Sequence, residues 1–162
     1  MEKNRLLGAP ALSLLTAGLL FCLCSCSLPR ILVLNDPLTP QDHINLGVTY
    51  ERSGEFDQAL KEYEKASRAL PVAYLYMGNV LFQKKEFPKA EECYREAIDR
   101  TGNPGAYNNL AWLYYSTGEN LDEAEKLARK AVELAPDREE FQDTWQKIRE
   151  KTRPNDQITI TK

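Results

Sequence analysis

Between residues 40 and 136, a pair of amphipathic helices separated by a short turn occurs three times, and this repetition limits the possible folds more than any other feature. The first helix of the first pair has a stripe at the i, i+3, i+4 and i+7 spacing, made of His43, Leu46, Gly47 and Tyr50. The second helix has a small, large, small stripe made of Ala59, Tyr63 and Ala66. Residues at these spacings share one face of a helix. The pattern predicts helices that pack closely in pairs, with Gly47 leaving a notch in the packing face.

The same two stripes return twice more along the chain. The second copy contains Tyr74, Met77, Gly78 and Leu81, then Ala90, Tyr94 and Ala97. The third copy contains Tyr107, Leu110, Ala111 and Tyr114, then Ala124, Ala128 and Ala131. This pattern resembles the tetratricopeptide repeat, which has a nominal period of 34 residues. The resemblance implies an all-α helical repeat, a superhelix of three helix pairs over residues 40–136, with repeats at about 40–70, 71–102 and 103–136 and a C-terminal capping helix.

The capping helix is expected over residues 137–152. Asp137 followed by Glu140 predicts its N-terminus, and its apolar stripe consists of Phe141, Thr144, Trp145 and Ile148. A solenoid exposes the apolar flank of its last repeat, so a helix with one apolar face is needed to cover it. An independent partner-binding helix is the alternative. Residues 153–162 are expected to form a flexible tail, although their alternating Ile and Thr could also add a strand to a partner's sheet.

Residues 1–25 have the composition of an export signal. Lys3 and Arg5 precede an uncharged run from residue 6 to residue 28, which is the order of the basic and apolar regions of a signal peptide. Leu23-Cys24-Ser25-Cys26 resembles the lipobox of a bacterial lipoprotein, in which the cysteine after a small residue becomes acylated. Cys26 is therefore the expected lipidation site, and residues 26–39 are expected to form the lipidated N-terminus and a tether.

Two other fates of this leader stay open. Ser25-Cys26-Ser27 fits the small-x-small site of an ordinary signal peptidase. The uncharged run is also long enough to remain as a membrane span, since about 20 apolar residues cross a bilayer. Under the lipoprotein interpretation, Ser27 is not an inner-membrane retention aspartate, which predicts a lipid anchor in the outer membrane, facing the periplasm.

Composition and motifs argue against catalysis and against nucleic-acid binding. The formal net charge is -3, whereas nucleic acids and anionic membrane surfaces recruit basic patches. His43 is the single histidine, it lies at a packing position, and no metal-ligand spacing surrounds it. The sequence contains neither a glycine-rich phosphate loop nor a nucleophile elbow. We therefore expect a non-enzyme with no catalytic residue, no metal and no cofactor.

A second stripe on each first helix predicts a binding surface. The three stripes are Ile44, Val48 and Glu51, then Leu75, Asn79 and Phe82, then Asn108, Trp112 and Tyr115. The resemblance implies that such residues line a concave groove where peptides bind. The expected partner-binding residues are Ile44, Val48, Leu75, Asn79, Phe82, Asn108, Trp112 and Tyr115, with Glu51 at the rim. The alternative is that neighbouring helices, or the apolar segment 31–34, cover these aromatic rings.

The functional expectation is a non-catalytic protein-protein interaction scaffold. It resembles the small tetratricopeptide lipoproteins of the bacterial envelope that serve as assembly or accessory factors of secretion, pilus or outer-membrane complexes. The expected partners are a protein or peptide in the groove and the membrane through the N-terminal lipid or an uncleaved anchor. Self-association to form a structural envelope protein, or a role as accessory subunit of an exported enzyme, stays open.

Overall fold

The structure, a computed structural model, describes residues 36–153. Within this range the chain forms seven α-helices and no strand. The helices are α1 Pro40–Arg52, α2 Phe56–Ser67, α3 Ala73–Gln83, α4 Phe87–Thr101, α5 Pro104–Thr117, α6 Leu121–Leu134 and α7 Glu139–Thr152. The predicted leader with Cys26 and most of the predicted tail lie outside the described residues.

Local sequence signals determine where two first helices begin. Thr39 Oγ1 accepts a hydrogen bond from the Asp42 main-chain N–H at 3.2 Å, and Asp42 Oδ2 accepts one from the Thr39 N–H at 3.0 Å. This reciprocal capping box, with Pro40 at the first helical position, starts α1. At α5, Asn103 Oδ1 accepts from the Gly105 N–H at 2.8 Å, and Pro104 follows the cap. Both caps satisfy N–H groups that a helix leaves unpaired.

The N-terminus of α7 differs from the prediction. Asp137 is not its capping residue; Arg138 holds that position and makes no side-chain capping bond. The Arg138 guanidinium instead forms an ion pair with Glu140. The prediction that Asp137 caps this helix was wrong, because the helix begins one residue later than the predicted cap allows and Glu140 is paired with Arg138.

The helices pack in chain order, and α3 and α5 as well as α5 and α7 also pack directly. The small, large, small stripes of the second helices form the centre of the packing: Ala59, Tyr63, Ala66, Ala90, Tyr94, Ala97, Ala124, Ala128 and Ala131 are all buried. Alanine at a helix contact lets two backbones approach closely, and ridges of side chains then fit into the grooves between them. The repeat pattern in the sequence thus corresponds to the observed core.

In the first two helix pairs, the glycine at the notch position of the first helix leaves space for the tyrosine ring of the second helix. A Cβ atom added at Gly47 would overlap the ring of Tyr63, and one added at Gly78 would lie 2.5 Å from Tyr94 Cδ1. In the third repeat, Ala111 occupies the notch position and Ala128 the aromatic position, and both are buried. The third pair therefore has two small buried residues where the first two pairs have a glycine and a tyrosine.

Helix α7 covers the end of the third pair. Phe141 and Ile148 are buried, and Trp145 packs against the core cluster of the third repeat with its ring partly exposed. Trp145 occupies the position in the stripe where α1 and α3 carry glycine. A residue of this volume leaves no notch for a further helix. Among the described helices, none combines the length and hydrophobicity that crossing a bilayer requires.

Candidate partner-binding groove

Three of the predicted binding residues line one cavity on the first helices. This central pocket has a volume of about 280 Å³ and is lined by Glu51, Asn79, Phe82, Gln83, Tyr94, Asn109 and Trp112. Asn79, Phe82 and Trp112 were predicted from the stripes. Gln83 and Asn109 were missed, although each directly follows a stripe residue along its helix. Glu51, which was expected at the rim, is among the lining residues.

Two further predicted residues lie in a neighbouring cavity. The junction pocket, about 460 Å³, lies between the starts of α5 and α7 and also touches α3; its lining includes Leu75, Gly105, Asn108, Asn109, Arg138 and Phe141. Asn109 lines both pockets, so they are adjacent. The contribution of α7 could not be read from the stripe, because it depends on how the last helix packs.

Tyr115 lines neither the central pocket nor the junction pocket, but its ring lies beside that of Trp112, which lines the central pocket. The rings of Trp112 and Tyr115 have centroids 5.1 Å apart. Lys147 Nζ lies 5.6 Å from the Trp112 ring centroid, and Lys151 Nζ lies 4.7 Å from that of Tyr115. Lys151 also donates a hydrogen bond to the Tyr115 carbonyl oxygen at 3.0 Å. Because Lys147 and Lys151 are one helical turn apart, α7 places two cations beside this aromatic surface, a contribution that the stripes of the first helices did not predict.

The first repeat contributes less to the groove than predicted. Ile44 is only 3% exposed and belongs to a core cluster with Tyr63, Ala73 and Val80, so it is a packing residue and its predicted role as a groove residue is wrong. Val48 packs partly buried against the same cluster. The stripe rule assigns a face, but a residue on that face can still be covered, as Ile44 is in its cluster with Ala73 and Val80 of α3.

Hydrogen bonds hold the polar floor of the central pocket. The Tyr94 hydroxyl donates to Asn79 Oδ1 at 3.1 Å, and Asn109 Nδ2 donates to the same oxygen at 2.8 Å. Asn108 Nδ2 in turn donates to Asn109 Oδ1 at 3.3 Å. We call these four residues the amide relay. At its end, Asn108 Oδ1 is buried without a hydrogen-bond partner.

Glu51 is held in place at the other end of the central pocket. The Tyr63 hydroxyl donates to Glu51 Oε2 at 2.9 Å, and Gln83 Nε2 donates to Oε1 at 2.6 Å. Burial, followed by the hydrogen bond to this carboxylate, raises the pKa of Tyr63, and burial also raises the pKa of Tyr94. Both phenols therefore stay protonated and act as donors. The groove thus combines a fixed carboxylate, aromatic rings, amides and the lysines of α7.

The single histidine lies in the packing interface, as predicted. His43 is buried, and its Nδ1 lies 2.6 Å from Glu62 Oε2. Burial raises the pKa of Glu62, but hydrogen bonds from Lys65 and His43 outweigh this effect and lower it overall. The pair therefore joins α1 to α2 through a charged acceptor. Within residues 36–153, no group of three or more His, Cys, Asp or Glu side chains is arranged to hold a metal ion.

A larger depression lies outside the predicted groove. It has a volume of about 700 Å³ and is formed by α2, α3 and α4, with Leu60, Met77, Leu81 and Cys93 among its lining residues. Lys84 at its rim is paired with Asp57 and Glu86. Burial, with a smaller effect from nearby glutamates, raises the pKa of the Cys93 thiol to about 11. The thiol is therefore protonated at neutral pH and unsuited to nucleophilic chemistry.

Comparison with family models decides the class of repeat. Models described as tetratricopeptide repeat match residues 40–71 and residues 70–137, which together make up more than half of the chain. The chain belongs to the tetratricopeptide repeat family. The tetratricopeptide repeat is a protein-interaction module, and its members are typically non-catalytic.

Two curated proteins share the repeat region. Human Protein O-mannosyl-transferase TMTC2 is 33% identical over 99 residues, which is 57% of this chain and 12% of that protein. PsbB mRNA maturation factor Mbb1 of Chlamydomonas reinhardtii is 36% identical over 64 residues, 38% of this chain and 10% of that protein. The chain spans about a tenth of the length of these relatives, so the functions in their names describe those whole proteins.

Solved structures show the same fold. The first tetratricopeptide domain of Spaghetti (RPAP3), bound to the HSP90 peptide SRMEEVD, superposes with a TM-score of 0.64 at 23% identity, covering 74% of this chain and 98% of that chain. The Sgt2 domain of Aspergillus fumigatus gives 0.66 at 14% identity, covering 73% and 82%. MamA of Desulfovibrio magneticus gives 0.60 at 19% identity, covering 70% and 66%.

Proposed function

We propose that this protein is a non-catalytic scaffold of the bacterial envelope that binds a segment of another protein in the groove formed by the central pocket and the junction pocket. In this proposal a lipid on Cys26 anchors it to the outer membrane. The partner is a component of a secretion, pilus or outer-membrane complex, for which the protein serves as an assembly or accessory factor.

The observation that carries the binding proposal is the combination of aromatic and amide groups in the central pocket. Phe82 and Trp112 remain partly exposed there. Removing the apolar surface of such rings from water is favourable, so a partner that covers them gains binding free energy. Buried aromatic anchors surrounded by polar groups are the usual centres of protein interfaces. Asn79 and Asn109 supply donors and acceptors that suit a peptide main chain. The peptide bound to the similar domain of RPAP3 supports a ligand of the same general kind.

The envelope proposal rests on the leader. A basic start, an uncharged run and Cys26 after a leucine and a small residue together favour export and lipidation. A self-associating structural role is the second candidate, because a C-terminal helix with a partly exposed Trp145 could contact another copy. An accessory subunit of an exported enzyme is the third, and co-purification of an active hydrolase would favour it.

The experiment that tests the groove replaces its two aromatic anchors. Full-length protein carrying Phe82→Ala and Trp112→Ala should keep its helical circular dichroism spectrum yet lose capture of the envelope proteins that the unmodified chain retains from a membrane extract. Each truncation should weaken binding by about 2 kcal/mol, roughly 30-fold. Each single variant is measured as well, because both rings also pack on an aromatic neighbour: Phe82 on Phe87 with ring centroids 5.6 Å apart, and Trp112 on Tyr115.

A matched control is Phe56→Ala, which removes a partly buried ring on α2 outside both pockets. It should lower stability without changing the captured proteins. Capture of the same proteins by the double variant would refute the groove as the binding site. Loss of helicity in Trp112→Ala would show that the ring belongs to the core.

A further inference from the structure

The end of the amide relay carries an inference about what the groove binds. Asn108 is only 9% exposed, and its Oδ1 atom has no hydrogen-bond partner. Most buried polar atoms in proteins are paired, because an unpaired acceptor loses its hydration without compensation. A buried unpaired acceptor on the wall of a cavity therefore points to a donor that arrives from outside the chain.

The relay indicates which atom of the Asn108 amide is left without a partner. The Tyr94 hydroxyl gives its hydrogen to Asn79 Oδ1, which leaves that oxygen as the acceptor for Asn109 Nδ2. Asn109 then presents its own oxygen to Asn108 Nδ2. Turning the Asn108 amide by half a rotation would place two carbonyl oxygens against each other. The hydrogen of the buried Tyr94 phenol needs an acceptor, and Asn79 Oδ1 supplies it only in this direction of the relay, in which Oδ1 of Asn108 is the free end.

The surroundings of this oxygen restrict the class of donor. Leu75 and Phe141 give the junction pocket apolar walls, and its volume of about 460 Å³ is ample for a single side chain. The Arg138–Glu140 ion pair also lines the pocket, and both side chains are more than half exposed. Because these two side chains line the same pocket as Asn108 and are mostly exposed, a ligand could displace them at little cost. A carboxylate or phosphate would be repelled by Asn108 Oδ1.

We propose that the junction pocket receives one apolar side chain of an extended partner segment, and that the main-chain N–H of that residue donates to Asn108 Oδ1. In a peptide, the N–H is attached to the same Cα atom that carries the side chain, so both groups reach the pocket together. This inference rests on the proposed function, since it assigns a specific contact within the same groove. It assigns to Asn108 a direct contact with the main chain of the partner segment.

A random heptapeptide library displayed on phage is the probe. Peptides are selected on the full-length chain, and the tightest is resynthesised with each main-chain N–H methylated in turn. Methylation at one position should weaken binding about tenfold, the effect of losing one hydrogen bond to a buried acceptor. The same peptides are then measured on the Asn108→Leu variant, where that penalty should disappear because the acceptor is gone.

Stability gives a second, independent readout. Asn108→Leu removes the buried unpaired acceptor at similar volume, and it leaves the oxygen of the partly buried Asn109 to bond water instead, so the midpoint of thermal unfolding should not fall while peptide binding weakens. The matched control is Asn45→Leu on α1, where the amide is exposed and bonded only to Gln41. It should change neither peptide affinity nor the pattern of methylation penalties.

Four results would overturn the inference. A methylation penalty of the same size on the native chain and on Asn108→Leu would show that no main-chain N–H reaches this oxygen. A fall in the unfolding temperature of Asn108→Leu would show that the amide is structural. Failure to select any peptide, with self-association that Asn108→Leu abolishes, would make a second copy the occupant. Selected peptides that lose binding on Trp112→Ala but not on Asn108→Leu would remove this inference and leave the proposed function standing.

Discussion

At the residue scale, complementary volumes at two positions hold each helix pair together. Gly47 faces Tyr63 and Gly78 faces Tyr94 so closely that a single added carbon would overlap the ring. These tyrosines also donate hydrogen bonds to groove residues, Glu51 and Asn79 respectively. The notch therefore serves two purposes. It lets the helices approach, and it brings a phenol hydroxyl through the core to the floor of the groove.

The first prediction concerns this pairing. Gly78→Ala should lower the free energy of unfolding by about 2 kcal/mol, because the new methyl group would press on a ring that has no room to move. In a Tyr94→Ala background, the same Gly78→Ala change should instead stabilise by up to ~1 kcal/mol, since alanine is the better helix former. Urea unfolding followed by circular dichroism measures all three variants. Equal effects of Gly78→Ala in the two backgrounds would show that the two positions do not interact.

Single-residue roles could be predicted only in part. The spacing of Asn79, Phe82 and Trp112 was enough to place them on one face, because helical geometry fixes that face. The same rule failed at Ile44, since coverage by α3 depends on how one repeat follows the next. It also missed Asn109 and Gln83, which turn into the pocket although they lie one position beyond the stripe.

At the scale of helices, α7 has two functions on two faces. Ile148 and Phe141 close the apolar flank of the third pair, while Lys147 and Lys151 lie over the rings of Trp112 and Tyr115. The sequence predicted a helix here with one apolar face, because that periodicity is local. It could not predict which polar residues would border the groove, since the rotation of α7 about its axis is set by packing.

The second prediction separates these functions. Ile148 is completely buried, so Ile148→Ala should lower the free energy of unfolding by about 3 kcal/mol. Trp145→Phe should change it by less than about 1 kcal/mol, because the ring remains and the buried, unpaired indole Nε1 is removed. Thermal and urea unfolding measure both. Deleting residues 137–151 should cause aggregation; an unchanged melting temperature would instead make α7 a free recognition element.

At the scale of the whole molecule, the three first helices present two adjacent pockets on one face. Helices α3 and α5 supply residues to both pockets and α1 supplies Glu51 to the central pocket, so the groove exists only when neighbouring repeats are stacked. If the groove binds a partner segment as proposed, stability and binding are linked, because a partner that bridges α1, α3 and α5 would stabilise their stacking. A lipid on Cys26 would add a second attachment, which would hold this groove close to a membrane and raise the effective concentration of membrane-bound partners.

The last prediction tests that attachment. If Cys26 is acylated and becomes the first residue of the mature chain, mass spectrometry of the membrane-bound protein should find an N-terminal peptide that begins at Cys26 and carries the mass of a lipid. Cys26→Ser should release the protein from membranes. Cys24→Ser is the matched control, since it changes a neighbouring thiol and leaves Leu23, Ser25 and Cys26 in place. A protein that retains Lys3 would instead be held by an uncleaved span, because about 20 apolar residues suffice to cross a bilayer.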